Sequence, residues 1–100
     1  MTVALRDAPD TLRTRLAALD PKVIEITDDS AAHIGHAAAA GGGHFSLLIV
    51  SDAFSGLPRL ARHQRVLREV GDLVPHPVHA LSIRALTADE FESLNQPSKD

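Results

Sequence analysis

The sequence predicts an α+β domain in the order α-β-β-α-β-α, a three-stranded mixed sheet packed with helices. Three observations carry that reading. Two stretches space their apolar residues by three and four, the period of a helix with one buried face. Three short runs are rich in β-branched residues and are bounded by glycine, proline or aspartate. The last two of these runs flank the longer helical stretch, and strands joined through a helix pair in parallel with a right-handed crossover.

The first helix rests on Leu5, Ala8, Leu12, Leu16 and Leu19, with Pro9 suited to its first turn. Asp20-Pro21 ends it, because the residue before proline resists the helical region. Residues 22–27, KVIEIT, alternate and read as the first strand. Residues 28–43 have no sustained period and end in three glycines, which reads as a loop. Residues 44–51, HFSLLIVS, carry few polar groups and suit a central strand that pairs antiparallel with the first. Phe54-Ser55-Gly56 is a turn.

From Leu57, the residues Leu60, Val66, Leu67, Val70, Leu73 and Val74 form a helical stripe, which Pro75 and Pro77 stop. Residues 78–86, VHALSIRAL, make the third strand. Thr87-Ala88-Asp89-Glu90 is a capping box that opens a short last helix through about Leu94. The chain thus reads as one domain over residues 1–95, with a disordered tail at 96–100 and one open face or edge of the sheet.

Composition narrows the function. With three Phe and no Trp or Tyr, the core is aliphatic. A net charge of −3 gives no global attraction to nucleic acid or to an anionic membrane. The absence of cysteine excludes a disulfide scaffold, a thiol nucleophile and a thiolate-bound cluster held by this chain alone. No window approaches the roughly 20 apolar residues of a membrane span. The first residues lack the apolar run of a signal peptide, so the expected address is cytoplasmic. There is no nucleophile elbow, P-loop or GxGxxG, and Asp28 and Asp29 point apart on an extended chain. No enzyme is expected.

Two groups of residues carry chemistry. His33 and His36 lie three apart in the loop, with His44 eight further on. An imidazole pair at that spacing chelates a borderline metal such as zinc or nickel if the loop turns locally. The bland alternative is a flexible connection with incidental histidines. His44 reads as structural, bonding the loop or a neighbouring turn. His79 shares strand parity with Leu81 and Ile83, which makes it a half-buried core histidine, yet it opens its strand at a solvent-facing corner that also suits a ligand. On the long helix, Arg59, Arg62 and Arg65 step by three beside His63 and Arg68. That stripe reads either as a surface for phosphate or an acidic partner, or as a solvated helix face.

Several short motifs then fall in one order: Asp28-Asp29-Ser30, His44-Phe45, Val50-Ser51, Phe54-Ser55-Gly56, Arg62-His63, and Val78-His79-Ala80-Leu81 before a Thr-led helix. In that pattern, from roughly Leu12 to Leu94, the chain resembles the BolA family. It departs from the family in Phe91, where Trp is usual, and in Arg62-His63-Gln64-Arg65, where Arg-His-Arg is usual.

The resemblance implies a class II KH-like fold. It also implies a partner of monothiol glutaredoxins in iron–sulfur cluster trafficking or iron regulation. The glutaredoxin cysteine and a bound glutathione then supply two thiolates to a shared [2Fe-2S] cluster. On this chain the implied ligands are His79 and, from the loop, His33, with His36 as runner-up. Imidazoles in place of thiolates make such a cluster less negative and raise its potential, as in Rieske centres. The competing implication is a KH-like nucleic-acid-binding transcription regulator. Gly56-Leu57-Pro58-Arg59 falls where a KH domain has its GXXG loop, without the second glycine. Arg59, Arg62 and Arg65 would then make a weak, salt-sensitive DNA contact, or, with His63, dock an acidic glutaredoxin surface.

Overall fold

The computed structural model describes residues 3–29 and 43–95. Its first helix begins where proline permits: α1 (Ala8–Leu16) has Pro9 in the first turn, between short 3-10 turns at Leu5–Asp7 and Ala17–Leu19. Ala8, Leu12, Leu16 and Leu19 are all buried. The chain leaves at Asp20 in the left-handed region, φ 50°, which aspartate tolerates better than most residues.

The sheet has the order β1-β2-β3, with β1 (Val23–Asp28) antiparallel and β3 (Val78–Leu86) parallel to the central β2 (Gly43–Val50). Alternation gives β2 two faces. Phe45, Leu47 and Ile49 are buried, with Ile24, Ile26, Leu81, Ile83 and Ala85 packed beside them. On the same side lie the buried stripes of α1 and of α2 (Arg59–Val70), the latter through Val66 and Val70. Each such side chain contributes about 1.5–3 kcal/mol relative to exposure. The opposite face carries Glu25, Thr27, Ser46, Ser82 and Arg84, half-buried or exposed. Among the described residues no helix covers it.

The connections follow local chemistry. Buried Ser51 donates to the Leu19 carbonyl at 2.5 Å and accepts from the Ala53 N–H, so it turns inward and β2 stops at Val50. Gly56 takes φ 77° in the turn after Phe54, which is wholly buried. The helix expected over 57–74 is shorter. Pro58 holds the cap position in extended geometry, and beyond Val70 the chain tightens into a 3-10 turn at Gly71–Leu73.

α3 (Ala88–Asn95) opens with the expected capping box: Thr87 N–H donates to Glu90 Oε1 at 2.9 Å, and Glu90 N–H to Thr87 Oγ1 at 3.3 Å. Gly43 belongs to β2, not to the loop. A Cβ there would stand 2.6 Å from both Leu5 Cδ1 and Phe45 Cε2, so any larger residue would have to displace one of these side chains. The α+β order and the mixed three-stranded sheet are as the sequence predicts. The tail at 96–100, and the loop with His33 and His36, lie outside the described residues. Among the described residues no helix is long and apolar enough to cross a membrane.

Candidate metal-ligand site and basic groove

The first turn of the β2–β3 ladder is irregular. Gly43 pairs with Val78, but His44 pairs with Ala80, so His79 is skipped. An extra residue of this kind is a β-bulge, unusual in a parallel pair, and bulges re-aim side chains beside functional sites. Parity with Leu81 and Ile83 put His79 half in the core. The bulge breaks that parity, and His79 is exposed.

Its ring lies 5.2 Å, centre to centre, from that of half-buried His44, with the planes tilted by 42°. The backbone around the pair is tied down. Asp29 N–H donates to the His44 carbonyl at 2.7 Å, and Gly43 N–H to the Pro77 carbonyl at 3.0 Å. Ser46, on the same face as His44, donates its hydroxyl to the Asp29 carboxylate. Three strand ends therefore meet at one corner, where two imidazoles face each other on fixed backbone. His44, read from the sequence as structural, is brought beside His79. The signal lay in pairing His44-Phe45 against Val78-His79, but only the register brings the rings together. Among the described residues no three His, Cys, Asp or Glu side chains gather to enclose a metal, so the described part of the corner brings two imidazoles together.

The basic stripe of α2 divides. Arg62 is the least exposed member, with 14% of its side chain accessible. Its Nε donates to the Leu57 carbonyl at 2.7 Å, and its Nη1 to the Ala85 carbonyl at 3.0 Å. Both terminal nitrogens grip the Glu90 carboxylate, at 2.5 and 3.0 Å. Arg62 and the Thr87 N–H hold that carboxyl down at about 2. Arg65 pairs with Glu69 at 2.9 Å along the helix. Arg62 is thus a clasp between α2, β3 and α3, and Arg65 a helix-surface pair. Arg59 and His63 are exposed. With Arg84, Leu81, Ile83 and Leu94 they line a groove of about 1070 Å³ between the start of α2, β3 and α3. His63 faces this groove from the exposed side of α2.

The family model described as BolA-like protein matches residues 16–90. The chain is 42% identical over 78 residues to SufE-like protein 1, chloroplastic/mitochondrial, of Arabidopsis thaliana, covering 72% of this chain and 21% of that protein. It is 39% identical over 83 residues to BolA-like protein 1 of Bos taurus, covering 81% of this chain and 59% of the other. Against the DNA-binding transcriptional regulator BolA of Escherichia coli (strain K12) the identity is 33% over 78 residues, with 78% and 72% covered. The chain therefore spans about a fifth of the plant relative and about three fifths of the bovine one. Its fold matches the BolA domain of SufE1 from Arabidopsis thaliana with a TM-score of 0.70 at 37% identity, over 89% of this chain and 99% of that one. The solution structure of BolA1 from Mus musculus matches with a TM-score of 0.71 at 32% identity, over 89% and 72%.

Proposed function

The chain belongs to the BolA family, and we propose that it serves there as a partner of a monothiol glutaredoxin, lending imidazole ligands to a bridging [2Fe-2S] cluster in iron–sulfur assembly, trafficking or iron regulation. The observation that carries this reading is His79, lifted out of the β2–β3 ladder onto an exposed corner.

The donor set fits half of a cluster site. The chain has six histidines and no cysteine, so it provides nitrogen and needs sulfur from elsewhere. The glutaredoxin cysteine and glutathione are the proposed source. His79 is the ligand on the rigid strand. His33, with His36 as the alternative, is the ligand from the chain between β1 and β2, outside the described residues. A bound cluster would supply one-electron chemistry at a potential raised by its two nitrogens. The protein's own part is to orient imidazoles from fixed strand ends; it has no catalytic step of its own, and its proposed address is cytoplasmic.

The test is reconstitution with a monothiol glutaredoxin, glutathione, iron and sulfide, read by visible absorption and circular dichroism. A heterodimer spectrum distinct from the glutaredoxin homodimer is expected, lost with His79→Ala and with one of His33→Ala or His36→Ala. A spectrum that stays that of the homodimer sinks the reading.

The second reading, DNA binding, has the printed name of the bacterial relatives in its favour and the groove's Arg59 and Arg84. It is weaker, because Arg62 is held in the clasp with Glu90 and Arg65 already pairs with Glu69 along the helix. Few phosphates remain within reach, so little affinity is expected at any salt, and it should fall only shallowly as salt rises. DNA binding that persists at physiological salt would reverse this ranking.

A further inference from the structure

We propose that His44 and His79 form a two-imidazole site for a borderline divalent transition-metal ion of the zinc or nickel class, held by this chain without any partner's thiolate. The site shares His79 with the cluster reading but does not require it.

Geometry comes first. Two imidazoles bound through one nitrogen each, about 2.0–2.1 Å from a tetrahedral ion, set their ring centres roughly 5 Å apart. The His44 and His79 rings stand at 5.2 Å, tilted and not stacked flat. Each ring coordinates through one nitrogen and keeps the other for a hydrogen bond, the usual arrangement for ligating histidine.

The scaffold comes second. His44 is on the central strand, one residue from Gly43, which no larger side chain could replace without moving Leu5 or Phe45. His79 is the bulged residue opposite it. Both come from hydrogen-bonded strand ends, so binding an ion requires little further ordering of the backbone.

The neighbours come third. Asp29 is tied by its N–H to the His44 carbonyl and by its carboxylate to the hydroxyl of Ser46, two residues along β2 from His44. It is no third ligand, since no such trio exists among the described residues. The remaining positions of the ion go to water or to an incoming donor. That predicts a reversible, exchangeable site and not a structural one. Imidazole donors suit zinc, nickel and copper in preference to magnesium or calcium.

The experiment is titration of zinc and, separately, nickel into the free full chain, followed by calorimetry and by the imidazole resonances in NMR. No glutaredoxin, glutathione or iron is present. One ion per chain is expected, with the His44 and His79 resonances shifting together. His79→Asn should weaken binding at least ten-fold, whereas the double variant His33→Asn/His36→Asn should leave it within two-fold of wild type. His44→Asn should match His79→Asn if far-ultraviolet circular dichroism shows it folded. If it does not fold, the His44 resonance in the wild type still decides. Binding lost in the His33/His36 variant and kept in His79→Asn would move the site to the loop and overturn the proposal. Absence of saturable binding would reduce the pair to a ring contact. Either failure leaves the cluster reading standing, because that reading is decided by the glutaredoxin reconstitution.

Discussion

The two ends of β3 solve opposite problems with similar materials. At its start, the ladder slips by one residue and His79 is pushed into the open beside His44. At its end, Arg62 reaches across to take the Ala85 carbonyl and the Glu90 carboxylate, and the capping box of α3 closes the corner. Polar groups at the second corner satisfy one another, which makes it stable and chemically spent. At the first, His79 is exposed beside half-buried His44. The contrast separates a side chain whose partners the fold supplies, Arg62, from one that the ladder sets apart, His79. The arginine stripe and the histidines looked alike as candidates in the sequence, and this criterion separates them.

Breaking the closed end should therefore cost stability and spare ligand chemistry. Arg62→Ala takes the guanidinium from the Leu57 and Ala85 carbonyls and leaves the Glu90 carboxylate only the Thr87 N–H. A loss of roughly 1–3 kcal/mol is expected, set by how far water replaces the guanidinium. Urea unfolding measures it as a lower midpoint at unchanged slope. Metal titration of the same variant should match wild type. A variant that kept its stability but lost ion binding would erase the distinction between the two ends.

That distinction was only half visible in the sequence. The bounds of β3 and the start of α3 were legible because local signals set them: Pro77 immediately before Val78, and the Thr-x-x-Glu box after Leu86. The parallel pairing followed from the helix that joins β2 to β3. What escaped was set by partners far along the chain. Arg62 and Glu90 are 28 residues apart, so helical spacing marked a basic stripe without revealing that one member faces inward. The exposure of His79 depends on a register shift that no periodicity within its own strand encodes, and parity gave the wrong face. Gly43 read as the end of a glycine run, yet its role is to let Leu5 and Phe45 approach. Ser51 read as strand, but its hydroxyl found the Leu19 carbonyl and turned the chain.

A smaller effect sharpens the account of the closed end. Thr87→Ala removes the hydroxyl that accepts the Glu90 N–H and should cost about 1 kcal/mol, the usual loss for an N-cap. The damage should stay local. Hydrogen exchange is expected to speed up along α3, where Phe91 is only half-buried, and to remain slow at β2 and α2. Uniformly faster exchange would mean that α3 is part of the global folding unit, and the clasp would then matter more than the cap.

Acid offers the gentlest probe, because it acts on the clasp without removing an atom. The Glu90 carboxyl sits at about 2 in the folded protein, against an ordinary 4.5, chiefly because Arg62 bonds its charged form. Between those values the unfolded chain binds the extra proton, so stability rises with pH across that window. The contribution is whole above about 4.5 and drains away as pH falls through about 2. Glu90 is half-exposed, with 45% of its side chain accessible, so salt should shrink the effect. The check is the urea midpoint of wild type and Glu90→Gln from pH 6 down to 2. Glu90→Gln should show the shallower acid limb, and the two curves should converge at the acid end. Some slope should survive in the variant, because Arg15 also holds Asp72 below its ordinary range. Arg62→Ala should flatten the same limb as Glu90→Gln, since the two changes remove opposite halves of one interaction. If their limbs differ from each other as much as from wild type, the depression of Glu90 belongs to the Thr87 cap, and the clasp on β3 is geometric before it is electrostatic.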